Sequence, residues 1–331
     1  MDSDCQEIVS QMTQQQTFMD LKEQLAERII GQEQLVERLL IALLADGHLL
    51  VEGAPGLAKT TAIKALSDHL FGDFHRIQFT PDLLPADVTG SEIYRPETGK
   101  FEFQKGPIFH NLVLADEINR APAKVQSALL EAMGERQVSV GQQTFKLDDL
   151  FLVMATQNPI EQEGTYPLPE AQLDRFMMHI MIGYPDPATE KAILQLARNQ
   201  FRKAETRSAL RITPEQVFKA RDEVAAVHMA EAVEEYLIAI ILATRNPASL
   251  DASLGQWIAF GASPRGTIAL DRCARARAWL EGRDYVTPED VAVMAYDVLR
   301  HRIILTFEAE AEGLTPDGLI DQLLNTVPVS A

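Results

Sequence analysis

Cysteine is nearly missing: Cys5 and Cys273 are the only thiols in 331 residues, far apart and with no second thiol nearby. That excludes a disulfide framework and any paired-cysteine metal or redox motif, and predicts unpaired thiols in a reducing compartment. Long apolar runs are missing too. The longest, Leu39–Ala45 and Leu237–Ala243, fall far short of the roughly 20 residues that a membrane span needs. Met1–Ser10 is acidic and polar, unlike a basic-then-apolar signal peptide. A soluble, cytoplasmic protein with no membrane span is therefore expected. Positive charge is scarce, with 30 Lys and Arg against 48 Asp and Glu, a formal net of −18. The mean field of such a chain repels phosphate, which disfavours a protein that tracks nucleic acid but leaves a local basic groove open. The seven histidines show no spacing suited to a metal centre.

What is present is ordinary globular material, 46% hydrophobic and 24% charged, long enough for two domains at roughly 150 residues each. Met1–Gln16 is polar and glutamine-rich and reads as a frayed start. Phe18, Leu21, Leu25 and Ile29 repeat at helical spacing up to Gly31, and Gln32–Ala45 forms a second amphipathic helix. Three short apolar runs, His48–Glu52, Leu112–Ala115 and Phe151–Ala155, read as strands buried on both faces, with helices at Thr60–Phe71 and Ala123–Met133 between them. This alternation predicts an open α/β fold with a parallel sheet flanked by helices. Two insertions interrupt it. Ser91–Arg95 and Lys100–Gln104 flank the turn Pro96-Glu97-Thr98-Gly99, and Gln137–Lys146 alternates around Gly141, so both read as β-hairpins. Beyond Pro185-Asp186-Pro187 only helices are expected: Ala188–Phe201, Pro214–Met229, Val233–Asn246, Pro264–Glu281 and Pro288–Leu299. Several open on Thr-Pro or Ser-Pro, a cap residue before proline at the first helical position. The boundary is placed near Ile182–Asp186, giving an α/β core over residues 1–183 and an all-helical domain over 184–331.

The chemistry concentrates where strands end. Gly53-Ala54-Pro55-Gly56-Leu57-Ala58-Lys59-Thr60 follows a strand and opens a helix, the context that a phosphate-binding P-loop demands. Backbone N–H groups of such a loop cradle phosphates, Lys59 reaches the β- and γ-phosphates, and the Thr60 hydroxyl suits Mg²⁺. Ala58 replaces the second glycine of the generic motif, which is tolerable if its φ is negative. Leu112–Ala115 leads into Asp116-Glu117: Asp116 is suited to hold Mg²⁺ and Glu117 to polarise an attacking water. The third strand leads into Thr156-Gln157-Asn158-Pro159, where Asn158 can reach the γ-phosphate or its water; read alone, Asn-Pro is also an ordinary turn starter.

These motifs together resemble the AAA+ ATPases, and within them the MoxR family. The P-loop octapeptide is similar to that family's Walker A, including the alanine before lysine. Ala115-Asp116-Glu117-Ile118-Asn119-Arg120-Ala121-Pro122-Ala123-Lys124-Val125-Gln126 resembles its extended Walker B, and the run from Ala155 to Phe176 its sensor 1 and arginine-finger region. The likeness extends from about Ile29 to Leu305. It implies a P-loop AAA+ core with two inserted hairpins followed by a helical lid, and ATP with Mg²⁺ as cofactors. Ile29, Ile30, Gly31 and Gln32 then match the segment that packs on adenine, and Gly53 to Thr60 with Thr61 the phosphate cradle. Lys59, Glu117, Asn158 and Arg175 match catalytic positions, Arg175 acting on ATP held by a neighbouring subunit, and Arg265 in Ser263-Pro264-Arg265 matches sensor 2, a lid contact to the γ-phosphate. Arg120 is open to either an intersubunit role or orientation of the acidic pair.

The resemblance implies an ATP-hydrolysing ring, a hexamer, that remodels or matures protein complexes. Its expected partners are further copies of the chain, a protein client and a protein with a von Willebrand factor A domain, with metal or cofactor insertion as one outcome. Three other readings stay open: a nucleotide-gated scaffold with negligible turnover, a metal-chelatase-type motor subunit and, less favoured, a nucleic-acid motor. Tyr94, Phe101 and Phe103 in the first hairpin either contact a client or pack the insert onto its own subunit, the second being slightly preferred.

Overall fold

The computed structural model describes residues 13–141, 143–159, 164–200, 210–249 and 254–329. Order starts earlier than the sequence suggests. The Thr13 hydroxyl accepts from the Gln16 amide and caps α1 (Gln14–Arg28), while residues 1–12, with Cys5, and Phe201 lie outside the described residues. Then follow α2 (Glu33–Leu44), β1 (Leu49–Gly53), α3 (Lys59–Asp68), β2 (Phe74–Gln78), α4 (Pro85–Thr89), the antiparallel pair β3 (Gly90–Arg95) and β4 (Lys100–Lys105), β5 (Leu112–Asp116), α5 (Ala123–Glu135), the antiparallel pair β6 (Gln137–Val140) and β7 (Gln143–Lys146), β8 (Leu152–Gln157), α6 (Glu170–Leu173) and β9 (Met178–Ile182).

Five strands form one parallel sheet in the order β2-β5-β8-β1-β9. Successive side chains along a strand leave by opposite faces. Leu49, Val51, Leu112, Leu114, Leu152 and Met154 therefore enter one buried cluster, and Leu50, Val113, Ala115, Val153 and Ala155 another. Burial on both faces is what makes these strands read as unbroken apolar runs. β2 and β9, at the two edges, went unread.

The C-terminal elements are α7 (Pro187–Gln200), α8 (Pro214–Ala225), α9 (Glu231–Arg245), α10 (Leu254–Trp257), β10 (Ile258–Phe260), α11 (Pro264–Leu280), α12 (Pro288–Leu299), β11 (Ile304–Leu305), α13 (Phe307–Ala311) and α14 (Pro316–Thr326). The hydroxyls of Thr213, Ser263, Thr287 and Thr315 accept from backbone amides of the following first turn, with proline at the start of each helix. The expectation of helices alone needs one correction: β10 and β11 pair as a short antiparallel ribbon. This half does not close around a core of its own. Buried residues of α8, α11 and α12 share the cluster of α1, α2 and one face of the sheet, and Phe18 of α1 meets Trp279 of α11 edge to face at 5.6 Å. Cys273 is unpaired inside that cluster, and burial pushes its thiol pKa up to about 12. Among the described residues no helix is long and apolar enough to cross a membrane.

The two hairpins pack on each other. Phe103 of β4 stacks on Phe145 of β7 at 4.0 Å and meets Phe109 edge to face at 5.6 Å. Of the three aromatics read as either client-facing or packed, Phe103 is thus a packing residue. Tyr94 and Phe101 touch each other at 5.3 Å and stand 52% and 68% exposed.

Candidate functional site

The carboxyl ends of β5, β8 and β1 lie side by side, so the loops that leave them meet at one edge of the sheet, the usual ligand position in open α/β folds. Pro55, Gly56, Ala58, Lys59, Thr60, Thr61, Arg76, Asp116, Glu117 and Asn158 line a cavity there of about 340 Å³. Gly56 has a φ of 86° with nothing within 4 Å of the place where a Cβ would stand, which leaves its backbone open to the cavity. Ala54 and Leu57 are buried beneath the loop. Ala58 departs from expectation: its φ is 57°, not negative. The left-handed conformation is forced where the loop turns into α3, and alanine pays about 1 kcal/mol for it that glycine would not.

Lys59 Nζ donates to the carbonyls of Gly53 (2.6 Å) and Gln157 (3.3 Å) at the two walls of the loop. Burial lowers its pKa from the ordinary lysine value, against the pull of Asp116, Glu117 and Glu52. The acidic pair is tightly braced. The Thr156 hydroxyl donates to Asp116 Oδ1 (2.6 Å) and accepts from the Glu117 amide (2.9 Å). Arg76 Nε and Nη2 both bond Asp116 Oδ2, at 3.0 and 2.6 Å. Gln78 Nε2 donates to Glu117 Oε2 at 2.8 Å, and Arg120 Nε lies 3.2 Å from the same oxygen. Arg120 thus contacts Glu117 of the acidic pair within this chain. Glu117 itself has φ 56° and ψ 50°, a strained conformation of the kind that clusters at functional sites. Asn158 is 6% exposed and also lines a neighbouring cavity of about 330 Å³ with Glu52 and His179. There His179 Nε2 is 3.0 Å from Glu52 Oε2, and that hydrogen bond lowers the Glu52 pKa.

The donors fit a nucleotide with its cation. A loop with open backbone and a lysine suits a triphosphate, while the Thr60 hydroxyl and the Asp116 carboxylate are hard oxygen ligands of the kind Mg²⁺ takes. Both Asp116 oxygens are already hydrogen-bonded, so a cation would be held through water or after Arg76 moves aside. Arg76, Gln78 and Thr156 were not singled out from the sequence. The signal for the first two is their i, i+2 spacing, which places both on one face of β2.

The remaining expected residues lie elsewhere. Ile29 is buried in the core, Gly31 turns the chain between α1 and α2 with a φ of 79°, and none of Ile29, Ile30, Gly31 and Gln32 lines the phosphate cavity. Arg265, expected at the γ-phosphate, is not among the residues of its own phosphate cavity either. It lines a separate cavity of about 270 Å³ with Arg175, Arg136, Arg272, Arg302, Asp46 and Asp174. Five guanidiniums against two carboxylates make this a cationic cleft in an acidic protein. Arg175 Nη1 donates to the Leu130 carbonyl at 2.8 Å, and a Cβ on Gly134 would come within 2.4 Å of it, so glycine keeps that path open.

Comparison with known proteins agrees with this layout. The profile of the ATPase family associated with various cellular activities (AAA) matches residues 48–178, and that of an AAA lid domain matches residues 255–323. Chaperone MoxR1 of Mycobacterium tuberculosis is 47% identical over 90% of this chain and 78% of its own length. Protein MoxR of Paracoccus denitrificans is 34% identical over 95% of this chain and 96% of its own. A protein of Cytophaga hutchinsonii solved as a candidate ATPase superposes with a TM-score of 0.88 at 46% identity, covering 96% of each chain.

Proposed function

Since the chain belongs to the MoxR family of AAA ATPases, we propose that it hydrolyses ATP as a ring, a hexamer, and uses the cycle to remodel or mature protein complexes in the cytoplasm. The observation that carries the reading is the brace around Asp116 and Glu117. Thr156, Arg76, Gln78 and Arg120 fix both carboxylates beside the lysine of the phosphate loop. Gly53 to Thr61 would hold the triphosphate, Thr60 and Asp116 its Mg²⁺, and the turn at Ile29 to Gln32 the base. The cation, when bound, supplies charge neutralisation on the phosphates. Glu117 takes the proton of the attacking water, which Asn158 helps to hold. Arg175 and Arg265 share a cleft apart from their own phosphate loop, so both serve ATP held by the next copy, where guanidiniums offset charge as the phosphoryl group transfers. The sensor 2 contact of Arg265 to the γ-phosphate is thereby made to the neighbour's nucleotide. A head-to-tail interface repeated around a ring supplies every site in this way.

The client is a protein, and a partner with a von Willebrand factor A domain, with metal or cofactor insertion, belongs to the same proposal. The test measures phosphate release and equilibrium ATP binding for the wild type and Glu117→Gln. The variant should bind ATP within about threefold of wild type while turnover falls at least 100-fold, the span of a lost general base. A wild type that binds ATP and assembles without releasing phosphate would instead be a nucleotide-gated scaffold.

A further inference from the structure

Beside Arg175 lies a clamp that the proposed ATPase machinery does not use. Arg302 follows α12 with a side chain only 2% exposed, and its guanidinium spends its donors on the chain around Arg175. Nε donates to Asp174 Oδ1 (2.8 Å), Nη2 to the carbonyls of Asp174 (3.2 Å) and Phe176 (2.6 Å), and Nη1 to those of Met177 (3.1 Å) and Val298. A guanidinium is kept this deep only when its N–H groups are matched. The same Asp174 carboxylate accepts from the Ser263 hydroxyl at 3.0 and 2.9 Å. That hydroxyl caps α11 by accepting from the Arg265 amide at 3.2 Å. The Arg265 guanidinium then lies 3.6 Å from Asp174 Oδ2. One carboxylate therefore joins the backbone that carries Arg175 to the helix start that carries Arg265, and Arg302 locks the joint from below.

We propose that Asp174 and Arg302 are positioning residues that present Arg175 and Arg265 as one cationic unit to phosphates held by the adjacent copy, an inference resting on the intersubunit reading of Arg175. Neither arginine can then move without the other, so any lid displacement reaches the neighbour's nucleotide directly. Lysine at 302 keeps the charge but lacks the planar fork that serves four carbonyls and a carboxylate at once.

Arg302→Lys is accordingly expected to lower kcat at least tenfold while its affinity for ATP stays within about threefold of wild type. Its defect should also belong to the neighbour's site. Mixed with Glu117→Gln subunits, which keep both arginines and bind ATP, Arg302→Lys subunits should regain turnover, and mixed with Arg175→Ala subunits they should not. Should Arg302→Lys fail to fold, Ser263→Ala removes the hydroxyl link and carries the same expectations. Wild-type kcat in Arg302→Lys overturns the proposal. So does an inactive mixture with Glu117→Gln under conditions where Arg175→Ala mixed with Glu117→Gln is active. If that control mixture is also inactive, the intersubunit reading itself falls and takes the proposal with it.

Discussion

Single residues here carry consequences well beyond their own contacts. His48 opens the approach to β1, where its Nδ1 accepts from the Val153 amide at 3.1 Å, so the proton sits on Nε2, which faces the Met133 carbonyl at 3.3 Å. Burial lowers its pKa from 6.5 to about 4. Below pH 6.5 the unfolded chain takes up this proton while the folded chain does not, so stability falls as pH drops from 6.5 to about 4, by up to roughly 3 kcal/mol, and levels off below. Urea unfolding across that range should show the slope in the wild type and a flatter one in His48→Gln; equal slopes would show that His48 does not cause it. Little of this was legible. The P-loop, Asp116, Glu117 and Asn158 were readable because an apolar strand followed abruptly by polar residues marks a sheet edge. Thr156 stood inside a quoted motif without a role, since a buried hydroxyl at the end of an apolar strand looks like any β-former. The sign of the Ala58 φ stayed open in the sequence, because nothing in the residue type fixes it, and the loop sets it at 57°.

Among elements, the hairpins show how packing selects between readings that pattern leaves equal. Tyr94, Phe101 and Phe103 were indistinguishable as aromatics on one insert, and the structure separates them by what lies opposite. Phe145 from the other insert covers Phe103 and leaves the Tyr94–Phe101 pair exposed. A stacked aromatic pair contributes about 1 kcal/mol beyond its burial. Phe103→Ala should therefore speed hydrogen exchange of the β7 amides by at least about fivefold, whereas Tyr94→Ala should leave them unchanged. Comparable effects of both variants would mean that the inserts are held together by something else. The edge strands were missed for complementary reasons. β2 buries only Ile77 among His75, Arg76, Ile77 and Gln78, so its apolar signal is weak. β9 follows Phe176 and Met177 with no turn residue to announce it. The starts of α8, α11 and α12 were legible, because a threonine or serine before proline fixes both a cap and a φ, whereas α14, opened by the same Thr-Pro pair, was not read.

For the molecule as a whole, the −18 charge coexists with a cationic cleft that gathers Arg175, Arg265 and Arg272. Copies of so acidic a chain repel one another except where such a cleft meets phosphates, and salt screens both effects. Assembly should depend on ATP and on ionic strength, as sedimentation in the presence and absence of nucleotide at low and high salt would measure. An identical ring under all four conditions would refute the electrostatic account. The shared core has a different consequence, which concerns the order of synthesis. Phe18 finds its partner Trp279 only after the roughly 260 residues between them exist, a delay on the order of 13–50 s at ordinary elongation rates. Throughout that interval the apolar faces of α1 and α2 have no α11 to close over them. The newborn protein therefore spends its first half-minute as the kind of exposed chain that chaperones attend.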